Sequence, residues 1–147
     1  TTLTIATGSS EPFNLHFRVP TWCNGASATV NGSSVKTSYR PGAWASIHRV
    51  WNAGDTVTIR IPSDLRLSPV DKQHPNRVAV TKGAVVLVRL HSTTMPVHGS
   101  DPSSWMQSSG RPLEYRVKPQ PAGEFLPFYK VKDITTGYGM YFDIDEE

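Results

Sequence analysis

WASIHRVWNAGDTVTIRIP, residues 44–62, reads as two strand segments joined by a short turn. In the second segment Val57, Ile59 and Ile61 alternate with polar residues, which is the period of a strand with one buried face. A glycine supplies the positive φ that a tight turn needs, and Pro62 ends the strand because it has no N–H to donate. We therefore predict a β-hairpin over this stretch, with one face in the core.

The N-terminal neighbours of this stretch show the same periodicity. Phe13, Leu15 and Phe17 alternate with polar residues and predict a core strand. Asn31-Gly32 is typical of a tight hairpin turn, which places a return strand over Val35–Tyr39.

The chain beyond Pro62 is irregular as far as Pro75, and apolar runs follow it. Ala84–Leu90 is a continuous apolar run, as expected of a strand in the middle of a sheet. His91–Arg111 reads as a long loop, and no segment has the period of an amphipathic helix. About ten short strands separated by turns predict an all-β fold, a two-sheet antiparallel β-sandwich of jelly-roll type. Residues 1–147 are expected to form a single β-sandwich domain excised from a larger multidomain protein.

Charge and composition exclude several classes of protein. The chain of 147 residues carries a net charge of +3 from 15 basic and 12 acidic residues, and its basic residues are scattered, so we expect no nucleic-acid partner. No apolar run approaches the ~20 residues of a membrane helix, so we expect no membrane partner. Cys23 is the only cysteine, and the five histidines show no paired ligand spacing. We therefore predict no disulfide within the chain, no metal site and no cofactor.

Aromatic side chains beside polar ones are the candidates for ligand binding. Sugars present C–H faces that pack on flat rings and hydroxyls that pair with planar polar groups. Trp105 lies in a polar loop with no core period, and Trp44 lies beside Ser46 on a strand face, whereas Trp22 and Trp51 are expected to pack. The predicted ligand-binding residues are Trp105, Trp44, Tyr39, Arg40, His48 and Gln107. Structural packing remains the alternative for each of the aromatic residues.

Charged residues suggest one structural pair and no catalytic one. Arg49 has the same strand parity as Ile47, so its guanidinium points to the core side and is expected to pair with Asp55. A glycosidase needs two carboxylates about 5–10 Å apart. The carboxylates available for such a pair are Asp101, Glu114, Glu124 and Asp133. No spacing in the sequence brings two of them together, so we predict that the chain is not an enzyme.

Several of these motifs together resemble the β-sandwich region of glycoside hydrolase family 127, the β-L-arabinofuranosidases. The matching segments are Phe13-x-Leu15-x-Phe17-Arg18-Val19-Pro20-x-Trp22, Val30-Asn31-Gly32, Ile47-x-Arg49-x-Trp51-x-x-Gly54-Asp55-x-Val57-x-Ile59-x-Ile61-Pro62, Arg66-Leu67, Val78-Ala79-Val80-x-x-Gly83-Ala84-Val85-Val86 and Phe125-Leu126-Pro127-Phe128-Tyr129. The resemblance covers most of the chain, with Ala84 where that family usually has proline.

The resemblance implies what this chain lacks as well as what it has. In that family the catalytic cysteine, its zinc ligands and the glutamates belong to a separate (α/α)6 barrel, and nothing in this sequence matches that barrel. The resemblance therefore implies a non-catalytic domain whose partners are a catalytic domain of the same parent chain and a polysaccharide or oligosaccharide. It also implies an extracellular or periplasmic location. The sequence leaves two functions open: a carbohydrate-binding module that targets a glycoside hydrolase to polysaccharide, or a structural domain that packs on the barrel.

Overall fold

Two units of β-strands make up the chain. The computed structural model describes residues 1–90, 97–118, 123–133, 135 and 137–145, without the side chains of residues 97, 98 and 145. Unit 1 comprises Thr1–Ser63 and unit 2 comprises Asp64–Glu147. The predicted all-β class is confirmed, because the described residues are mainly strands and the only helices among them are two short turns. The prediction of a single domain over residues 1–147 stays a prediction.

Unit 1 contains six antiparallel strands in two sheets. They are β1 (Thr2–Thr4), β2 (Glu11–Arg18), β3 (Ser27–Val30), β4 (Ser33–Ser34), β5 (Trp44–Trp51) and β6 (Thr56–Arg60). One sheet has the order β1-β6-β3-β4, and the other consists of β2 and β5. Apolar residues of both sheets share one core, in which Ile47 and Trp51 of β5 pack with Val57 and Ile59 of β6. Unit 1 is therefore a small sandwich.

The prediction of a β-hairpin over residues 44–62 is wrong in its pairing. Both strands form, but β5 pairs with β2 while β6 pairs with β1 and β3. The turn between them crosses from one sheet to the other, and it is closed by hydrogen bonds from the Asn52 N–H to Asp55 Oδ2 (3.0 Å) and from the Asp55 N–H to the Asn52 carbonyl (3.1 Å). Two strands that face each other across a core show the same alternation as two strands side by side, so periodicity does not separate these cases.

The tight hairpin at Asn31-Gly32 is confirmed. Both residues have positive φ, 49° and 80°, as a two-residue turn of the I′ type requires. The return strand is β4, Ser33–Ser34, and it is shorter and earlier than the predicted Val35–Tyr39. β1 completes this sheet at its other edge, where Thr2 lies opposite Thr58.

The strands described in unit 2 belong to one nine-stranded sheet. They are β7 (Leu65–Pro69), β8 (Arg77–Lys82), β9 (Val85–Leu90), β10 (Val97–His98), β11 (Met106–Ser108), β12 (Tyr115–Val117), β13 (Glu124–Pro127), β14 (Tyr138–Gly139) and β15 (Tyr141–Asp145). A four-residue helix, α1 (Pro102–Trp105), precedes β11, and a 3-10 turn, η1 (Phe128–Lys130), follows β13. β9 lies between β8 and β13, as predicted for the apolar run. The β10–β15 pair is parallel, whereas the other pairs in this sheet are antiparallel.

Two stretches read as irregular contain ordered elements. Leu65–Pro69 forms β7 and pairs with β8, although its mixed polarity and the proline at its end hide the strand period. The predicted loop over residues 91–111 contains β10, α1 and β11, and its residues 91–96 lie outside the described residues. The core of unit 2 is built on β8, β9, β13 and β15, and it includes Trp105 and Met106 from the predicted loop.

Candidate functional site

The outer face of the β2–β5 sheet presents a row of exposed side chains. Directly opposed residues of an antiparallel pair lie on the same face of a sheet. The register brings together four such outward pairs, which we call the β2–β5 face: Pro12–Val50, Asn14–His48, His16–Ser46 and Arg18–Trp44. All eight residues are exposed, whereas the alternate residues of β5 turn toward the core. The face is therefore mixed, with polar pairs at its centre and an indole at one end.

Trp44 is the most exposed tryptophan of unit 1. Its side chain is 62% exposed, and its backbone is fixed at the start of β5 by the turn before it. In that turn the Ala43 N–H donates to the Arg40 carbonyl at 3.1 Å, and Gly42 takes a φ of +80°. The Gly42 N–H and the Ala43 carbonyl both bond Val19 at 2.9 Å, which extends the ladder beyond Trp44. An exposed ring on a fixed backbone is a ready stacking surface.

Side-chain hydrogen bonds order the polar centre of the β2–β5 face. His16 Nδ1 and Ser46 Oγ are 2.7 Å apart, and His48 Nδ1 bonds Asn14 Oδ1. These bonds fix each imidazole ring across the strands. Arg18, opposite Trp44, has no ion-pair partner among the described residues. The face therefore offers donors and acceptors to an incoming polar ligand beside one flat ring.

The structure does not place Tyr39 on this face. Its ring is half-buried and packs 6.1 Å from Phe17 on the core side. Its hydroxyl donates to the Val35 carbonyl at 2.7 Å and accepts from the Ala28 N–H at 3.2 Å. Among the predicted ligand-binding residues, Arg40 is exposed in the turn before β5, whereas Tyr39 holds a loop of the fold through its hydroxyl.

Trp105 lies in the core of unit 2, contrary to the exposed position expected from its polar loop. It ends α1, is 6% exposed and packs 6.4 Å from Phe125. Polar neighbours misled the sequence reasoning, because Pro102–Trp105 is a helical turn whose other side faces solvent. Burial removes the reason for assigning this ring as a platform. Gln107 is exposed on β11, opposite Arg116.

Two predicted structural roles are observed, those of Trp51 and of the Arg49–Asp55 pair. Trp51 is fully buried, its Nε1–H donates to the Phe13 carbonyl at 3.0 Å, and its ring stacks on Phe13 at 5.4 Å. Arg49 pairs with Asp55 at 3.9 Å, as predicted. The hydrogen bond from the Asn52 backbone, with one from Asn31, lowers the pKa of Asp55. This carboxylate holds the crossing turn of unit 1.

A second polar site lies in unit 2, where a cavity of about 400 Å³ is lined by Arg111, Glu114, Glu124, Leu126, Lys130 and Lys132. It brings together two of the carboxylates that sequence spacing did not connect. Glu114 accepts from Lys130 Nζ at 2.8 Å, and this bond lowers the pKa of Glu114. A glycosidase general acid needs the opposite shift, a raised pKa. The arrangement of Glu114 therefore favours ion pairing over acid catalysis.

Sequence reasoning missed Asn14, His16 and Arg18 as members of the β2–β5 face. Their alternation with Phe13, Leu15 and Phe17 is visible in the sequence. The predicted hairpin, however, paired β5 with β6 instead of with β2. Pairing β2 with β5 would have placed them beside Trp44 and His48.

Metal and membrane signals are absent from the part of the chain that the structure describes. No group of three or more His, Cys, Asp or Glu side chains there could hold a metal ion. None of the helices in those residues is long and apolar enough to cross a membrane.

Comparison with known proteins gives one family match and several structural ones. Residues 1–63 match the family model described as the β-L-arabinofuranosidase GH127 middle domain. No curated protein sequence matches the chain. The match to the family model covers the same residues as unit 1.

Solved structures extend the likeness to the whole chain. Ara127N-Se, a GH127 β-L-arabinofuranosidase from Geobacillus stearothermophilus T6, has a TM-score of 0.74 and 23% identity over 98% of this chain and 28% of its own. A GH127 β-arabinofuranosidase has a TM-score of 0.72 and 18% identity over 98% of this chain and 29% of its own. The chain thus spans less than a third of the length of these enzymes. The resemblance seen in the sequence is confirmed: residues 1–63 match the GH127 middle domain, and residues 1–147 have a fold similar to one found within solved GH127 enzymes.

Proposed function

We propose that this chain is a non-catalytic accessory part of a GH127-type glycoside hydrolase, and that it binds polysaccharide on the β2–β5 face. The observation that carries the proposal is Trp44, 62% exposed on a fixed backbone at the end of a polar row. Its ring would stack on the C–H face of a sugar while Arg18 and the central pairs bond its hydroxyls. The partner in the same parent chain would be the catalytic domain, and the location extracellular or periplasmic, where polysaccharide occurs.

Trp44 does not contribute to the hydrophobic core of unit 1. Its side chain is absent from the core clusters of unit 1, whereas Trp51 at the other end of β5 is central to one of them. Large exposed aromatic side chains are common at recognition surfaces, because they offer wide contact area at little entropic cost. A substitution at Trp44 should therefore change binding and leave folding intact.

Affinity electrophoresis of the 147-residue chain tests the proposal, with xylans, β-glucans, mannans, arabinans and pectins in the gel. We expect retardation on at least one class, and a loss of about tenfold or more in affinity for Trp44→Ala. Val70→Ala is the matched control, because Val70 is an apolar residue that is 42% exposed and lies outside this face. Free migration of the unsubstituted chain on every polysaccharide, or an equal loss in both variants, would refute binding by this face.

A structural role is the second candidate, and exposed aromatic residues of unit 2 favour it. Phe128 and Tyr129, neighbours on η1, are 45% and 67% exposed. Exposed apolar side chains of this size are typical of surfaces that contact another domain. In that case the isolated chain should self-associate in sedimentation velocity experiments, and Phe128→Ser with Tyr129→Ser should restore the monomer. A monomeric chain at high concentration would argue against this role.

A further inference from the structure

The cavity of unit 2 carries more positive charge than its carboxylates neutralise. Its volume is about 400 Å³, within the range of small-molecule sites. Glu114 is committed to two cations, Lys130 Nζ at 2.8 Å and Arg111 at 3.5 Å. Glu124 is committed to Arg116 at 3.1 Å, a residue outside the cavity lining. The lining therefore has three basic residues against two acidic ones.

Lys132 is the basic lining residue left over. It is exposed and has no ion-pair or hydrogen-bond partner among the described residues. Lys130, two residues earlier, is fixed by Glu114, so the two ammonium groups differ in role. An uncommitted ammonium at a concave site favours an anionic group on the ligand.

The other lining groups specify what accompanies that anion. The carboxylates of Glu114 and Glu124 retain lone pairs that accept hydrogen bonds, so they suit the hydroxyl groups of a ligand. Inorganic phosphate presents no C–H face to the site. Leu126 is half-buried and offers an apolar surface for a C–H face. A ligand with hydroxyls, C–H faces and one carboxylate combines these properties.

We propose that the cavity lined by Glu114, Glu124, Leu126, Lys130 and Lys132 binds a uronic acid residue, with the sugar carboxylate on Lys132. The site is in unit 2 and does not depend on the β2–β5 face of unit 1. Its carboxylate acceptors would take the hydroxyls while Leu126 packs on the ring.

Chemical-shift perturbation by NMR of the complete 147-residue chain tests the proposal, with D-galacturonate and D-glucuronate as probes at up to about 10 mM. D-galactose and D-glucose are matched neutral probes that lack the carboxylate. We expect saturable shifts around β13 and η1 with the uronates and affinity at least about tenfold weaker for the neutral sugars. Inorganic phosphate should not compete.

Variants separate a specific contact from general charge attraction. Lys132→Met should weaken uronate binding about tenfold, and Lys132→Arg should retain it. Lys36→Met, an exposed lysine of unit 1, is the charge-matched control and should bind as the unsubstituted chain does. The uronate-induced shifts should be confined to residues of unit 2, which separates this proposal from binding at the β2–β5 face. Equal binding of uronate and neutral sugar, equal loss in Lys36→Met, competition by phosphate, or no shifts at about 10 mM would overturn the proposal.

Discussion

Trp51→Phe tests whether unit 1 depends on the buried indole of β5. The substitution keeps a ring that can stack on Phe13, but it removes the N–H that donates to the Phe13 carbonyl at 3.0 Å. Loss of that hydrogen bond costs about 1–2 kcal/mol. The smaller ring leaves roughly 40 Å³ empty, which adds about 1 kcal/mol at 24 cal/mol per Å³. We expect a loss of roughly 2–3 kcal/mol in the free energy of unfolding.

Urea unfolding followed by far-ultraviolet circular dichroism measures this loss, and a thermal scan should show a melting temperature lower by roughly 10–20 °C. Trp44→Phe is the matched control, since both tryptophans lie on β5 and Trp44 is 62% exposed. The control should stay within about 0.5 kcal/mol of the unsubstituted chain. A loss below about 0.5 kcal/mol for Trp51→Phe, or an equal loss in the control, would refute the reasoning.

Three further outcomes follow from unit 1. The hydrogen bond from Asn52 lowers the pKa of Asp55 in the folded chain. The stability that this shift contributes is therefore present above the unfolded pKa of about 3.9 and lost as the pH falls through the folded pKa. In urea unfolding at a series of pH values, Asp55→Asn should reduce this loss of stability at acid pH. Cys23 is a fully buried free thiol, so a thiol reagent should label it only after denaturant is added, and fast native labelling would contradict its burial. Gly42→Ala should cost about 1–2 kcal/mol, because φ is +80° and a Cβ would lie 3.2 Å from Thr21 Cγ2; an unchanged urea midpoint would count against strain there.

Local signals in the sequence predicted the positions of strands and turns better than they predicted which strands pair with each other. The alternation at Phe13, Leu15 and Phe17 locates β2, and Asn31-Gly32 locates its hairpin, because each depends on neighbouring residues alone. The pairing of β5 with β2 links residues about thirty positions apart, and periodicity carries no information on which strands share a sheet.

The candidate site was predicted only in part, because some of its residues follow from the local strand period and others depend on distant residues. Trp44 and His48 could be assigned to one strand face from their parity, and both lie on the β2–β5 face. Trp105 could not, since a four-residue helical turn has too few residues to show a period, and its burial depends on Phe125, twenty residues later. Local polarity is a weak guide to exposure when the covering residues come from another strand.

The edge pairing of β1 with β6 has a consequence for how unit 1 can be joined to other chains. Thr2 lies opposite Thr58, and the Ile59 N–H donates to the Thr1 carbonyl at 2.8 Å, so the first and last strands of the unit are adjacent. Adjacent strands are about 4.8 Å apart. A unit with this geometry can be inserted into a surface loop of a host protein without increasing the distance between the ends of that loop. Its two ends can also be joined by a short linker in a circular permutant. Unit 1 thus has the geometry of a domain that can be inserted into other proteins.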